Sequence, residues 1–162
     1  MNGAEKIKTN MKTSLIWFGN NLRVLDNEAL YRAAQSDRAV AVYFFDPRQF
    51  ELSSFGFKKT ERFRAKFLLE TVHQLQKNLE ELNITLLVFH EKPEDRIPEL
   101  VEQFNIDHIF LQKEWTSEES KVIQNVENRV PDTVEFHKTW DQFLFHPEDI
   151  PFDSYLQIPQ VF

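Results

Sequence analysis

Apolar side chains are concentrated in short runs that recur along the chain. Five runs have the length of a strand: SLIWF at 14–18, AVAVYFF at 39–45, ITLLVF at 84–89, HIFLQ at 108–112 and TVEFHK at 133–138. Several of them are continuously apolar rather than alternating, which is typical of strands that are covered on both faces. The pattern therefore predicts about five buried strands.

The segments between these runs have helical periodicity. From 63 to 82 apolar residues recur at steps of three to five, which predicts an amphipathic helix with Thr60 as its N-cap. Its apolar stripe consists of Phe63, Phe67, Val72, Leu75, Leu79 and Leu82. A second helix is predicted from Pro93 to about Phe104, since proline fits the first helical turn. Thr116 or Ser117 is predicted to cap a third.

Strand and helix thus alternate along the chain up to about Lys138. Right-handed crossovers between such units give an α/β fold, a doubly wound, Rossmann-like parallel sheet of about five strands with helices on both faces. The tail from 139 to 162 has no repeating pattern but is rich in aromatic residues, including Trp140, Phe143, Phe145, Phe152, Tyr155 and Phe162. Such a tail either packs back on the domain or runs toward a second one, and the pattern leaves both open.

Composition narrows the environment and the partners of the chain. There is no cysteine, which suits a reducing compartment, and the apolar runs are too short to span a membrane. The first residues lack the apolar core of a signal peptide, so a cytoplasmic location without a membrane is expected. The formal net charge is −7, whereas a surface that grips nucleic acid needs clustered Lys and Arg. We expect no DNA binding by this chain alone.

Familiar catalytic and nucleotide-binding motifs are absent from the sequence. It contains neither G-x-G-x-x-G nor a P-loop, and only three glycines are available to wrap a diphosphate. It also has no G-x-S-x-G motif. The histidines match no H-E-x-x-H spacing, so they are interpreted as surface or strand-end residues and no metal site is predicted; they are His73, His90, His108, His137 and His146. Spacing alone indicates an acidic α/β domain and identifies no reaction.

Longer motifs carry a resemblance to a known family. The stretch IWFGNNLRVLDNEAL resembles the strand, turn and helix that begin photolyases and cryptochromes, commonly W-F-R-x-D-L-R-x-x-D-N-x-A-L. Further similar segments follow in order: VYFFDPRQF, KKTERFRAKFLLETVHQLQKNL, KPEDRIPEL, KEWTSEES and WDQFLFHPEDIPF. Together they are most similar to the DASH branch. Gly19 and Asn21 depart from the family, which usually has Arg and Asp there, so the docking of this loop onto a neighbouring domain is open to question.

The resemblance implies a division of the chain. A flexible segment at 1–12 precedes a photolyase-type α/β antenna domain at 13–138. The tail at 139–162 is then a linker toward a helical domain that holds flavin adenine dinucleotide (FAD) and the DNA cleft and is absent from this chain. Because the tail is apolar, the isolated chain is also expected to self-associate at high concentration.

The implied function of the parent is light-driven, FAD-dependent splitting of cyclobutane pyrimidine dimers, with single-stranded DNA as the expected substrate. By the same resemblance, this chain alone carries no catalytic residues and is not expected to be catalytic. The alternatives are a blue-light receptor without repair activity and, if the resemblance misleads, a stand-alone nucleotide-binding α/β protein. In the family the α/β domain forms one wall of a cleft for a light-harvesting pigment, generally 5,10-methenyltetrahydrofolate.

Residues for that pigment are expected just after the fourth strand, by resemblance. They are Lys113, Glu114, Trp115 and Glu118, with Glu114 as the main contact. A carboxylate accepts two hydrogen bonds from the N–H and amino groups of a pterin edge, and an indole ring covers its face. An exposed loop acid and a core or interface aromatic are the plainer interpretations of Glu114 and Trp115.

Overall fold

The computed structural model describes residues 11–53, 55–143, 146, 149, 151–152 and 154–157. Five parallel strands form one sheet in the order β3-β2-β1-β4-β5. They are β1 (Thr13–Phe18), β2 (Arg38–Phe44), β3 (Thr85–Phe89), β4 (His108–Gln112) and β5 (Glu135–Thr139). Among the described residues, four α-helices accompany them: α1 (Glu28–Ala33), α2 (Arg62–Glu80), α3 (Pro93–Phe104) and α4 (Ser117–Glu127). A short 3-10 helix (Pro47–Gln49) follows β2. The predicted α/β fold with a parallel sheet is confirmed.

The two faces of the sheet bury separate apolar clusters. Along β1, Leu15 and Trp17 pack with residues of α3 and α4, whereas Ile16 and Phe18 pack with residues of α1 and α2. All six residues of β1 are buried, because successive side chains point to opposite faces and both faces are covered. This explains why the apolar residues of β1, from Leu15 to Phe18, are consecutive rather than alternating.

Helix α2 only partly follows its predicted stripe. Val72, Leu75 and Leu79 are buried, but Phe63 and Phe67 are 86% and 65% exposed. The helix has 19 residues and is therefore about 28 Å long, whereas β2, with seven residues, spans only about 23 Å. The prediction that Phe63 and Phe67 continue the core stripe is wrong, since a helix of this length overhangs the sheet. Leu82 lies beyond the helix and is also exposed.

The helix caps were predicted with mixed success. Thr116 caps α4, accepting a hydrogen bond from the backbone N–H of Glu119 at 3.5 Å. At α2, however, the N-cap position belongs to Glu61, so the prediction of Thr60 is wrong. Thr60 is buried one residue earlier, where its N–H bonds to the carbonyl of Gln49 and its hydroxyl has no partner among the described residues.

Both ends of the sheet domain are joined to it by described contacts. Lys12 donates its backbone N–H to Asp37 at 2.8 Å, while residues 1–10 of the segment predicted to be flexible lie outside the described residues. At the other end, Arg23 donates to the carbonyl oxygen of Asp141 at 3.1 Å. The first residues of the tail thus pack back on the domain. Phe145, Phe162 and the side chain of Tyr155 lie outside the described residues.

Candidate functional site

The strand order places a crevice at the carboxyl end of the sheet. From β1 the chain proceeds to β2 and β3 on one side and to β4 and β5 on the other. Open α/β sheets bind ligands where this order reverses, between the loops that follow the two central strands. Here these loops are Gly19–Asn20 after β1 and Lys113–Thr116 after β4.

Glu114 is the acidic residue of this crevice. Its Oε1 accepts a hydrogen bond from the side-chain amide of Gln112 at 3.3 Å, and its Oε2 accepts one from that of Gln142 at 3.2 Å. Burial raises the pKa of the Glu114 carboxyl group, and the nearby charge of Glu119 adds to the rise, although the amide donors oppose it. A half-buried carboxylate with these neighbours gains most from a ligand that donates two hydrogen bonds.

Gly19 makes room for this carboxylate. A Cβ atom at position 19 would lie only 3.1 Å from Glu114 Oε1. The neighbouring Asn21 is buried and accepts a hydrogen bond from the Gly19 N–H at 3.2 Å, and its amide nitrogen has no partner among the described residues. Both departures from the family pattern therefore lie in the loop that contacts Glu114.

Aromatic side chains flank the crevice on the side of β5. Trp115 is 57% exposed, and its ring centroid lies 5.0 Å from that of Trp140 and 5.4 Å from that of Phe143. The Lys113 ammonium group lies 3.9 Å from the centre of the Trp140 ring, a cation–π contact. Lys113, Glu114 and Trp115 are thus linked to each other through the first residues of the tail.

Glu118 faces elsewhere. It lies in the first turn of α4, is exposed and pairs with Lys59. Both residues line a groove between the start of α4 and the start of α2, which adjoins the crevice and shares several lining residues with it. Of the four predicted residues, Glu114 lines the crevice, Lys113 and Trp115 lie next to it in the same loop, and Glu118 lines the adjoining groove. Their role in binding a pigment stays a prediction.

Several residues of the crevice were not predicted from the sequence. They are Asn20, Tyr43, Arg64, Gln112 and Glu119. Gln112 is a buried polar residue at the end of an otherwise apolar strand, a signal that the sequence did contain. The crevice has a volume of about 120 Å³, whereas sites for small organic ligands usually have at least about 300 Å³. The crevice alone is therefore smaller than a usual site for such a ligand.

A second polar cluster lies at the amino edge of the sheet. His108, Glu135 and His137 approach each other closely there, although the spacing of the histidines in the sequence predicted no metal site. Burial lowers the pKa of His137, with His108 and Arg32 acting in the same direction and Glu135 in the opposite one.

The described residues include no helix that is long and apolar enough to cross a membrane.

Comparison with known proteins agrees with the fold. The family model for DNA photolyase matches residues 14–162. The chain is 43% identical over 153 residues to cryptochrome DASH of Gloeobacter violaceus, covering 93% of this chain and 30% of that protein. It is 38% identical over 154 residues to the chloroplastic/mitochondrial cryptochrome DASH of Arabidopsis thaliana, covering 92% and 27%.

Among solved structures, the Synechocystis sp. PCC6803 cryptochrome superposes with a TM-score of 0.86 at 38% identity, over 93% of this chain and 31% of that one. The chain thus spans about a third or less of the proteins it matches. The family model covers nearly the whole chain, and the identities to the two DASH proteins extend over more than nine-tenths of it. The chain therefore belongs to the DNA photolyase family, within which it is similar to cryptochromes of the DASH type.

Proposed function

We propose that this chain is the light-harvesting domain of a DASH-type photolyase/cryptochrome, with the α/β domain at 13–138 and a linker at 139–162. The observation that carries the proposal is the half-buried carboxylate of Glu114 at the switch point of the sheet. The ligand is a folate antenna, 5,10-methenyltetrahydrofolate, which absorbs light and passes excitation to FAD. FAD itself is held by a helical domain of the same polypeptide.

The residues of the crevice fit a pterin. Its N–H and amino group donate to the two oxygens of Glu114, replacing the amide of Gln142, which lies in the exposed tail. Trp115 offers an exposed indole face next to this carboxylate, and Lys113 holds the neighbouring Trp140 ring through its cation–π contact. Glu118, paired with Lys59, contributes negative charge at the rim rather than a direct contact.

The small volume of the crevice supports a second wall from outside this chain. A carboxylate–pterin contact on an open surface competes with water, whereas the same contact in a closed cleft is stronger.

An archaeal photolyase from Sulfolobus tokodaii, solved with two FAD molecules that imply a novel light-harvesting cofactor, shares the fold. It superposes with a TM-score of 0.67 at 23% identity.

The activity of the whole protein is proposed to be deoxyribodipyrimidine photo-lyase, acting on cyclobutane dimers in single-stranded DNA. DNA binds through the helical domain only, since this chain carries a formal net charge of −7. The protein is proposed to act in the cytoplasm. A signalling role without repair is the second candidate, because the chain is also 39% identical over 145 residues to the blue-light photoreceptor PHR2 of Arabidopsis thaliana.

The proposal is tested by replacing Glu114 in the full-length protein. Glu114→Gln keeps the shape of the side chain but leaves one accepting oxygen in place of an ionised pair, so folate affinity is expected to fall about tenfold or more. FAD content should stay unchanged. The measurement is the folate and flavin absorbance that remain with the purified protein after dialysis.

Glu118→Gln is the matched control, because it removes the same charge from the exposed pair with Lys59. It should retain nearly all the pigment. Equal folate content in wild type and Glu114→Gln would refute the proposed role of Glu114.

A further inference from the structure

Three side chains that can bind a metal ion meet at the amino ends of β4 and β5. This is the edge of the sheet opposite the Glu114 crevice. His108 is the first residue of β4 and is in register with Glu135, the first residue of β5. Side chains alternate along a strand, so Glu135 and His137 project to the same face. Two imidazoles and one carboxylate therefore share one face of two adjacent strands.

The three ligand atoms form a compact triangle. His108 Nδ1 lies 3.2 Å from His137 Nε2 and 3.3 Å from Glu135 Oε2, and the third side, from His137 Nε2 to Glu135 Oε2, measures 3.7 Å. Ligand atoms of a tetrahedral zinc ion, each about 2.0–2.1 Å from the metal, are about 3.3 Å apart. Adjacent ligands of an octahedral ion at the same distance would be only about 2.9 Å apart. Two of the three sides therefore match a tetrahedral ion, and the third, at 3.7 Å, is longer than either spacing.

Packing holds the two imidazoles in place. The ring of His137 stacks on Phe110, with ring centroids 4.4 Å apart and an angle of 15° between the planes. The side chains of His108 and His137 are only 20% and 24% exposed, whereas that of Glu135 is 67% exposed. The two imidazoles are thus held against the sheet, whereas the carboxylate side of the cluster is open to solvent. This opening leaves room for a water molecule as a fourth ligand.

The neighbouring charges allow a cation here. Arg32 is the positive group near the cluster, and its charge would oppose the binding of a cation. Its guanidinium, however, is paired with the Glu28 carboxylate at 3.5 Å and lies 5.9 Å from the centre of the Phe110 ring. In the absence of a metal, a hydrogen bond between the imidazoles accounts for one side of the triangle, and its donor depends on the tautomer. His108 Nδ1 also lies within ion-pair distance of the Glu135 carboxylate. A divalent ion instead accepts a lone pair from each of the three atoms at once.

We propose that His108, Glu135 and His137 form a zinc site whose fourth ligand is water. Two imidazole nitrogens and one carboxylate oxygen, without a thiolate, are a donor set that zinc uses when one position stays open. Bound zinc would join the edge strand β5 to β4, since the ligands come from both strands. The site is separate from the antenna crevice and does not depend on the proposed light-harvesting function.

The test uses untagged protein freed of metal with a chelator and then dialysed. Co²⁺ serves as the spectroscopic probe, because its tetrahedral complexes absorb visible light far more strongly than its octahedral ones. One equivalent of Co²⁺ should produce the tetrahedral band, and Zn²⁺ should displace it. Zn²⁺ should also raise the midpoint of thermal unfolding, since a ligand that binds the folded state stabilises it.

Substitutions then identify the ligands. His137→Ala should weaken Co²⁺ binding about 100-fold or more and Glu135→Gln about tenfold. Because His137 also packs on Phe110, the exposed Glu135 provides a variant that leaves folding intact, which circular dichroism verifies. His73→Ala, at an exposed position on α2, is the control and should bind as wild type does. Absence of the tetrahedral band in wild type, or unchanged affinity in either ligand variant, would overturn the site.

Discussion

The properties of Glu114 follow from its immediate neighbours. Gly19 leaves space for one carboxylate oxygen, and the amides of Gln112 and Gln142 each donate to one oxygen. These donors do not fully replace the water that burial removes, so the pKa of the carboxyl group remains raised. A ligand that supplies further donors would stabilise the ionised form, whereas burial in the free protein shifts the balance toward the protonated one.

Stability should therefore depend on pH through Glu114. Its folded-state pKa lies above its unfolded value, so its contribution to stability is fully present below the unfolded pKa of about 4.3 and is lost as the pH rises through the folded pKa. Glu114→Gln removes this dependence. We expect wild type to gain stability relative to Glu114→Gln as the pH is lowered from 7 toward 4, measured as the free energy of unfolding in urea.

Glu118→Gln, which removes an exposed charge near the same loop, is measured in parallel to account for the change in net charge. If the difference in the free energy of unfolding between wild type and Glu114→Gln stays constant over this pH range, burial does not raise the pKa of Glu114 in the folded protein.

Among the elements, the strands were predicted most accurately. Each apolar run lies within one or two residues of an observed strand, because continuous burial on both faces leaves a strong local signal. The first half of α2 was predicted less well. Phe63 and Phe67 have the spacing of a core stripe, but periodicity records only that residues share a helix face and not whether a sheet lies beneath it.

One link between elements was not visible in the sequence at all. Arg48, in the short 3-10 helix after β2, donates to both oxygens of Glu94 at the start of α3, at 2.8 and 2.9 Å. It also donates to Asp46, and these two nearly buried carboxylates hold the pKa of Arg48 above its usual value. Arg48 and Glu94 are 46 residues apart in the sequence, so no local pattern predicts their ion pair.

Replacing Arg48 should therefore weaken the fold. Arg48→Met leaves the carboxylates of Asp46 and Glu94 buried without their cation, which is expected to cost about 2–4 kcal/mol in the free energy of unfolding. Lys66→Met, which breaks an exposed pair with Glu70, should cost no more than about 0.5 kcal/mol. Both values come from urea unfolding at pH 7. A loss below about 1 kcal/mol in Arg48→Met would mean that water or other donors solvate these carboxylates.

At the scale of the whole molecule, the sequence indicated where the crevice lies but not all the residues that line it. Glu114 lies in the crevice, in the loop after the fourth strand, whereas Lys113 and Trp115 do not line it. Gln112 lies two residues before Glu114, while Asn20 and Gln142 come from segments distant in sequence. Exposed aromatic residues such as Phe63 and Trp115 lie on the surface of a chain that spans 30% of its Gloeobacter relative. Hydrophobic patterns do not reveal which apolar surface a further domain covers.

A repair enzyme splits pyrimidine dimers in DNA under light, whereas a signalling receptor does not. An assay on the full-length protein with bound FAD therefore distinguishes the two functions. Under blue light we expect it to split a cyclobutane thymine dimer in a single-stranded oligonucleotide, measured as loss of the dimer by chromatography. Under near-ultraviolet light, which the folate absorbs, Glu114→Gln should split dimers several-fold more slowly than wild type, because fewer molecules retain the antenna. Under light that only the flavin absorbs, the two proteins should act equally. If the protein splits no dimers under either light condition, the blue-light receptor is favoured. If wild type and Glu114→Gln split dimers at equal rates under both conditions, repair is retained but Glu114 is excluded as an antenna contact.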